Sequence, residues 1–196
     1  GDLGAVASSA ESVAAFFAPL IEQGYDIVPL TTSCALMLKF EWPLLLPDNA
    51  TVKKLSQATF DLSEYVVDLS KRHGLVPIEA MPTGIAVHFA CHARAQNMGP
   101  KAVEMLKLIP EARPQVVERC SGHGGKWGIF KENFDTAIKV GKPAARAIDK
   151  LKPDYVVSEC PLAGPHLKQV LKAVDSDVTP ERIGHPIEVM VKAYGL

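Results

Sequence analysis

The sequence has no excess of either charge: 21 Lys and Arg stand against 22 Asp and Glu, and no basic block recurs along a face. That leaves no electrostatic footprint for nucleic acid. There is no Ser-His-Asp order and no nucleophile elbow, and the glycine-rich loop lacks the Lys-Ser/Thr ending of a P-loop, so hydrolase and nucleotide-binding chemistry fall away. Long hydrophobic runs are also missing. The most apolar stretch, residues 35–46, is broken by Lys39, Glu41 and Pro43 and falls short of the roughly 20 residues of a transmembrane helix. With no signal peptide either, the chain reads as soluble or peripheral, with the cytoplasm as default. No intact C-x-x-C pair is present, which argues against thiol–disulfide exchange. The opening GDLGAVASSAES has no initiator methionine and reads as part of something longer.

What is present is ordinary globular composition, 47% hydrophobic and 22% charged over 196 residues, enough for one substantial core or two small ones. The four cysteines, Cys34, Cys91, Cys120 and Cys160, lack a secretory context and point to a reducing compartment, where thiols serve metal or redox chemistry. Each stands at or just past the end of an apolar, strand-like run. The densest signal is residues 116–128, VVERCSGHGGKWG, where a β-branched run ends in Cys120 and opens into Gly122, Gly124, Gly125 and Gly128. Glycines there permit positive φ and bring backbone N–H groups close to whatever Cys120 holds. The plainer alternative is a tight strand-to-helix turn with a buried cysteine.

Along the chain, Ser8 and Glu11 suggest a capping box for a first helix that ends at Gly24 and kinks at Pro19. Strands are expected over residues 25–30, 85–89, 115–119 and 155–158, each delivering a cysteine and then a helix. The helix after Cys34 should end at Pro43. Weak helices over 51–57 and 63–74, the second capped by Ser63, look superficial. Pro100 opens a helix over 101–108, Gly141 and Pro143 divide a long amphipathic pattern between 129 and 151, and Pro186 sits in the first turn of a last helix. Alternation of this kind predicts an α/β fold: a largely parallel sheet with flanking helices, whose sites lie beyond the carboxyl ends of the strands.

Two segments echo one another, YDIVPLTTSCALMLK and DYVVSECPLAGPHLK, with Thr31 opposite Cys160, Cys34 opposite Ala163 and Lys39 opposite Lys168. They read as pseudo-duplicated βα halves, each retaining one cysteine of a C-x-x-C. The division that follows is residues 1–80 as the remainder of a first half-domain and 81–196 as a second.

The motifs FACHARAQNMG, RCSGHGGKWG and ECPLAG, with SCALMLKFEWP as the closing segment of a preceding copy, resemble the cysteine-rich CCG domain of iron–sulfur oxidoreductases. That family includes the C subunits of anaerobic glycerol-3-phosphate dehydrogenases and, more distantly, the B subunits of heterodisulfide reductases. Where the family pairs cysteines this chain has Cys120-Ser121, and where it can have C-x-x-C it has Cys160 and Ala163. Five-thiol ligation is therefore not available in the second half. The resemblance implies metal ligation by Cys91, Cys120 and Cys160, with Cys34, Ser121, His92 or His123 as a fourth ligand. A [4Fe–4S] cluster suits such a set, and zinc is also compatible with thiolates. Gly122, Gly124 and Gly125 would line the cofactor, and Arg94 and Lys126 would offset its charge. Trp127 reads as core packing, and His73, His88, His166 and His185 carry no assigned chemistry. The implied function is an electron-transfer module of a membrane-associated oxidoreductase, between a flavoprotein dehydrogenase and quinone or another carrier. The alternative is a cluster-less or zinc-binding interaction domain of the same descent.

Overall fold

Three short runs rich in β-branched residues build the sheet of the computed structural model, which describes residues 1–196. They are β1 (Gly84–His88), β2 (Arg113–Val117) and β3 (Tyr155–Ser158). All pairings are parallel, in the order β2-β1-β3, with His88 level with both Val117 and Ser158. Central β1 is buried from Ile85 onward, whereas edge strand β2 has exposed positions and carries Pro114, a residue that only an edge tolerates well.

The helices are α1 (Leu3–Glu22), α2 (Thr32–Leu36), α3 (Trp42–Leu45), α4 (Ala50–Gln57), α5 (Leu62–His73), α6 (Cys91–Ala95), α7 (Lys101–Leu106), α8 (Lys131–Leu151), α9 (Ala163–Lys172) and α10 (Pro186–Ala193). Strand alternation sends Ile85, Val87 and Val157 to one sheet face, where they pack with Met105 and Leu106 of α7, Val67 of α5 and Met190 of α10. Ala86, Val117 and Val156 face the other way onto Ala144, Ala145 and Ile148 of α8 and Leu167 and Val170 of α9. Before the sheet, Ala10 and Ala14 of α1 close a separate small core with Leu38, Trp42, Val52 and Leu55.

Several expectations need correction. Residues 25–30 form no sheet strand, only an isolated parallel bridge between Ile27 and Thr59. Asp26 and Pro29 disfavour a ladder there, so Cys34 does not follow a strand of the sheet. Asp2 caps α1, its Oδ1 accepting from Ala5 N–H at 3.0 Å, while Ser8 lies inside the helix. α1 continues through Pro19 to Glu22, and Gly24, with φ +88°, stops it. By length and composition α1 is also apolar enough to cross a membrane, which the interrupted stretch at 35–46 is not.

Pro43 does not end the helix after Cys34. A π turn over Met37–Glu41 intervenes, and Pro43 falls in the first turn of α3, where its missing N–H leaves no hydrogen bond unmade. Asp61, not Ser63, caps α5, in a capping box with Glu64. Nor are α4 and α5 superficial, since Val52, Leu55, Asp61, Ser63 and Val67 are all buried. Finally, α8 runs unbroken through Gly141 and Pro143. Its buried stripe of Ala137, Gly141, Ala144 and Ala145 lets it lie close against α9 and the Cys120 turn, and this packing outweighs the local breakers.

Candidate functional site

β1, β2 and β3 are parallel neighbours, so the segments leaving their carboxyl ends emerge side by side. Cys91 opens α6 three residues after β1, Cys120 follows β2 by three, and Cys160 follows β3 by two. With adjacent strands about 4.8 Å apart, the three cysteine segments span about 10 Å of one sheet edge. All four thiols are free; Cys34, Cys91 and Cys120 are exposed and Cys160 is half-buried. Cys34 lies in α2, which packs directly against α6. The backbone thus delivers the Cys91, Cys120 and Cys160 segments beyond one and the same edge.

The thiols do not form a closed cage, because no three His, Cys, Asp or Glu side chains stand close enough to share a single metal ion. Thiolates on a lone zinc must each approach to about 2.3 Å, whereas an iron–sulfur cluster interposes its own iron and sulfide between them. Free thiols delivered along one edge are the donor set an iron–sulfur cluster takes, and zinc takes the same donors.

The Cys120 turn is shaped by steric necessity. Gly122, Gly124 and Gly125 have φ values of +86°, +58° and +65°. At Gly122 a Cβ atom would lie 2.1 Å from the Ala137 carbonyl oxygen of α8, so only glycine fits. This approach turns the Gly122 N–H onto Cys120 Sγ at 3.4 Å. Next to Cys91, His92 Nδ1 lies 3.8 Å from the sulfur. Arg94 is engaged by Glu118 at 3.2 Å. Trp127 sits in a 3₁₀ turn (Trp127–Ile129) with 43% of its surface exposed; it is not a core residue.

Two buried polar systems escaped the sequence reading. His88, at the end of β1, bonds through Nδ1 to Ser158 Oγ at 2.9 Å and through Nε2 to the Arg119 carbonyl at 3.1 Å. It joins the exits of all three strands just below Cys91, Cys120 and Cys160, and burial lowers its pKa to about 4. The second system centres on Glu159, fully buried beside Cys160. Its Oε1 accepts from Ser63 Oγ at 3.1 Å, and its Oε2 has no partner. Burial, then the nearby Asp61 charge, pushes the Glu159 carboxyl up to about 8. Burial also raises Asp61, opposed by the hydrogen bond from Gln96. A carboxylate directly after YVVS at a strand exit was the one available signal, because apolar runs of this kind seldom release an acid into a core. Behind the Cys120 turn, the buried His123 and His166 rings stand 6.1 Å apart, and Nε2 of His166 is unpartnered.

Residues 85–168, which run from β1 into α9 and hold Cys91, Cys120 and Cys160, match the family model described as CCG, cysteine-rich domain. Over these residues the chain is similar to a CCG cysteine-rich domain. The chain is 24% identical over 172 residues to the C subunit of the anaerobic glycerol-3-phosphate dehydrogenase of Escherichia coli, covering 87% of this chain and 41% of that protein. It is 31% identical over 132 residues to an uncharacterized iron-sulfur protein of Methanocaldococcus jannaschii, covering 66% and 25%. To the B subunit of the fumarate reductase (CoM/CoB) of Methanothermobacter marburgensis it is 27% identical over 155 residues, covering 76% and 29%. The chain thus spans well under half the length of these relatives. Its α/β architecture and parallel sheet place the cysteines of the matched segment just past the strand ends.

Proposed function

We propose that the chain is an iron–sulfur electron-transfer module of an oxidoreductase complex. The observation that carries this reading is the exit of three free thiols from three adjacent parallel strands of a CCG domain. In it, Cys91, Cys120 and Cys160 hold a cluster, of [4Fe–4S] type when a fourth ligand completes the set. Such a cluster, when bound, supplies one-electron storage at a potential set by charge, hydrogen bonding and burial. The chain's own part is to supply thiolates, to donate the Gly122 N–H to Cys120 sulfur, and to limit water with the half-exposed Trp127. The names of its relatives, dehydrogenase and reductase subunits and an iron-sulfur protein, support a redox partner. A flavoprotein that oxidises the substrate, with quinone or another carrier as acceptor, completes the proposal. So does a cytoplasmic setting, at the inner face of the membrane. Residues 1–80 would be the rest of a first CCG-like half and 81–196 the second.

A zinc-binding or cluster-less interaction domain is the second reading, favoured by Ser121 and Ala163 where the family carries cysteines. Anaerobic purification and reconstitution, followed by iron and acid-labile sulfide analysis, separates the two. A brown protein that loses its iron in the Cys120→Ser variant is expected, because a hydroxyl is a poor substitute for a soft thiolate. A colourless protein that takes up only zinc, or no metal, would overturn the electron-transfer reading.

A further inference from the structure

The hydrogen bonds around Glu159 reach three cysteine segments that are far apart in sequence. Gln96, which ends α6 five residues after Cys91, donates through Nε2 to Asp61 Oδ2 at 3.0 Å and to the Thr32 carbonyl at 3.4 Å. Thr32 opens α2, two residues before Cys34. Asp61 also accepts from Ser63 N–H at 3.1 Å, and Ser63 Oγ donates to Glu159 beside Cys160. Thr32, Asp61, Ser63, Gln96 and Glu159 are all at least 97% buried. Fully buried polar groups are costly unless paired, so this hub needs a structural or functional return. Leu30 and Thr31, just before α2, also share a cleft of about 390 Å³ with Ser158 and Pro161 on either side of the Glu159-Cys160 pair. The Cys120 turn makes no hydrogen bond to the hub and is held by His88 and α8.

We propose that the Asp61–Ser63–Gln96–Glu159 hub is a positioning device that holds the Cys34, Cys91 and Cys160 segments in one register, making Cys34 the fourth thiolate of the same site. Cys34 then does not belong to a separate site inherited from a duplicated half, as the internal echo of the sequence suggests. The ligand role of Cys34 rests on the function proposed above; the hydrogen-bonded register of the three segments does not.

The test uses the full chain in two arms. In the metal-free protein, dibromobimane, which bridges only nearby thiols, should link Cys34 to Cys91 or Cys160, with the pair identified by peptide mass. Gln96→Leu and Ser63→Ala should each lower that yield about fivefold, the effect of one lost net hydrogen bond on a local equilibrium. Ser63→Ala removes a single hydroxyl, so it remains interpretable should Gln96→Leu fold poorly by circular dichroism. In the reconstituted protein, Cys34→Ser should lose iron as Cys120→Ser does, and Ser63→Ala should keep iron but alter the electron paramagnetic resonance line shape. Absence of any Cys34 bridge in the native chain, bridging unaffected by both hub variants, or full iron in Cys34→Ser would each overturn the proposal. If the native chain takes up no iron, the cluster reading fails and the bridging arm alone judges the hub.

Discussion

Replacing Glu159 by Gln should abolish a loss of stability that the native chain suffers between pH 6.5 and 8. Glu159 is fully buried, and its carboxyl, ordinarily near 4.5, is pushed up to about 8 by burial first and by Asp61 second. Between those values the folded chain keeps a proton that the unfolded chain has released, so folding stability falls as pH rises, by about 1.4 kcal/mol per unit at most. His88 acts in the opposite sense. Its pKa is lowered from 6.5 to about 4, so its contribution is complete above pH 6.5 and is lost as pH falls. Below pH 6.5 it opposes the carboxyl, together with His123 and His185, whose pKa values burial also lowers; above 6.5 these histidines no longer contribute a slope. Over the 1.5 units up to pH 8 the loss is on the order of 2 kcal/mol. Glutamine keeps the shape and the acceptor for Ser63 but carries no proton to release. Urea denaturation at pH 6.5, 7.2 and 8.0 reads the difference: a falling line for the native chain and a nearly level one for the variant. An equal slope in both would refute the assignment of a protonated acid to this position.

The opposite limb belongs to His88. A His88→Asn variant should be less stable at pH 7, having lost its bonds to Ser158 and Arg119, yet its deficit against the native chain should shrink by roughly 3 kcal/mol between pH 6.5 and 4, where the native histidine loses its contribution; a constant deficit across that range would contradict this. Gly122→Ala forces a methyl group to within 2.1 Å of the Ala137 carbonyl oxygen at φ +86°, and should cost about 3 kcal/mol or more through combined strain and overpacking. A urea midpoint equal to that of the native chain would show that the turn relaxes freely.

The strands that matter were legible because each is a short β-branched run stopped by a cysteine turn, and that pattern survives in local sequence. The strand over residues 25–30 was not, since pairing depends on a partner, and there the chain finds only Thr59 across a single bridge. Proline and glycine misled at Pro43, Gly141 and Pro143 for a common reason: each is a breaker locally, but a π turn or a close helix contact absorbs it. The buried hub was beyond reach. Asp61 and Ser63 look like ordinary capping residues, Gln96 like a solvated helix end, and only the fold brings them to Glu159. Asp61 supplies the cap that Ser63 was expected to supply, which frees the Ser63 hydroxyl to reach across 96 positions of chain.

The fit between the Cys120 turn and α8 also bears on how the site is loaded. Gly122 abuts the Ala137 carbonyl, and a side chain at Gly141 would strike the Ser121 carbonyl at 2.5 Å, so turn and helix meet backbone to backbone with no side chains to act as springs. A vice with one jaw bolted down closes from the other side only. Were the thiols to close around a guest, the hub-linked segments of Cys34, Cys91 and Cys160 would move as one body, with Cys120 and its glycines as the fixed jaw against which they align.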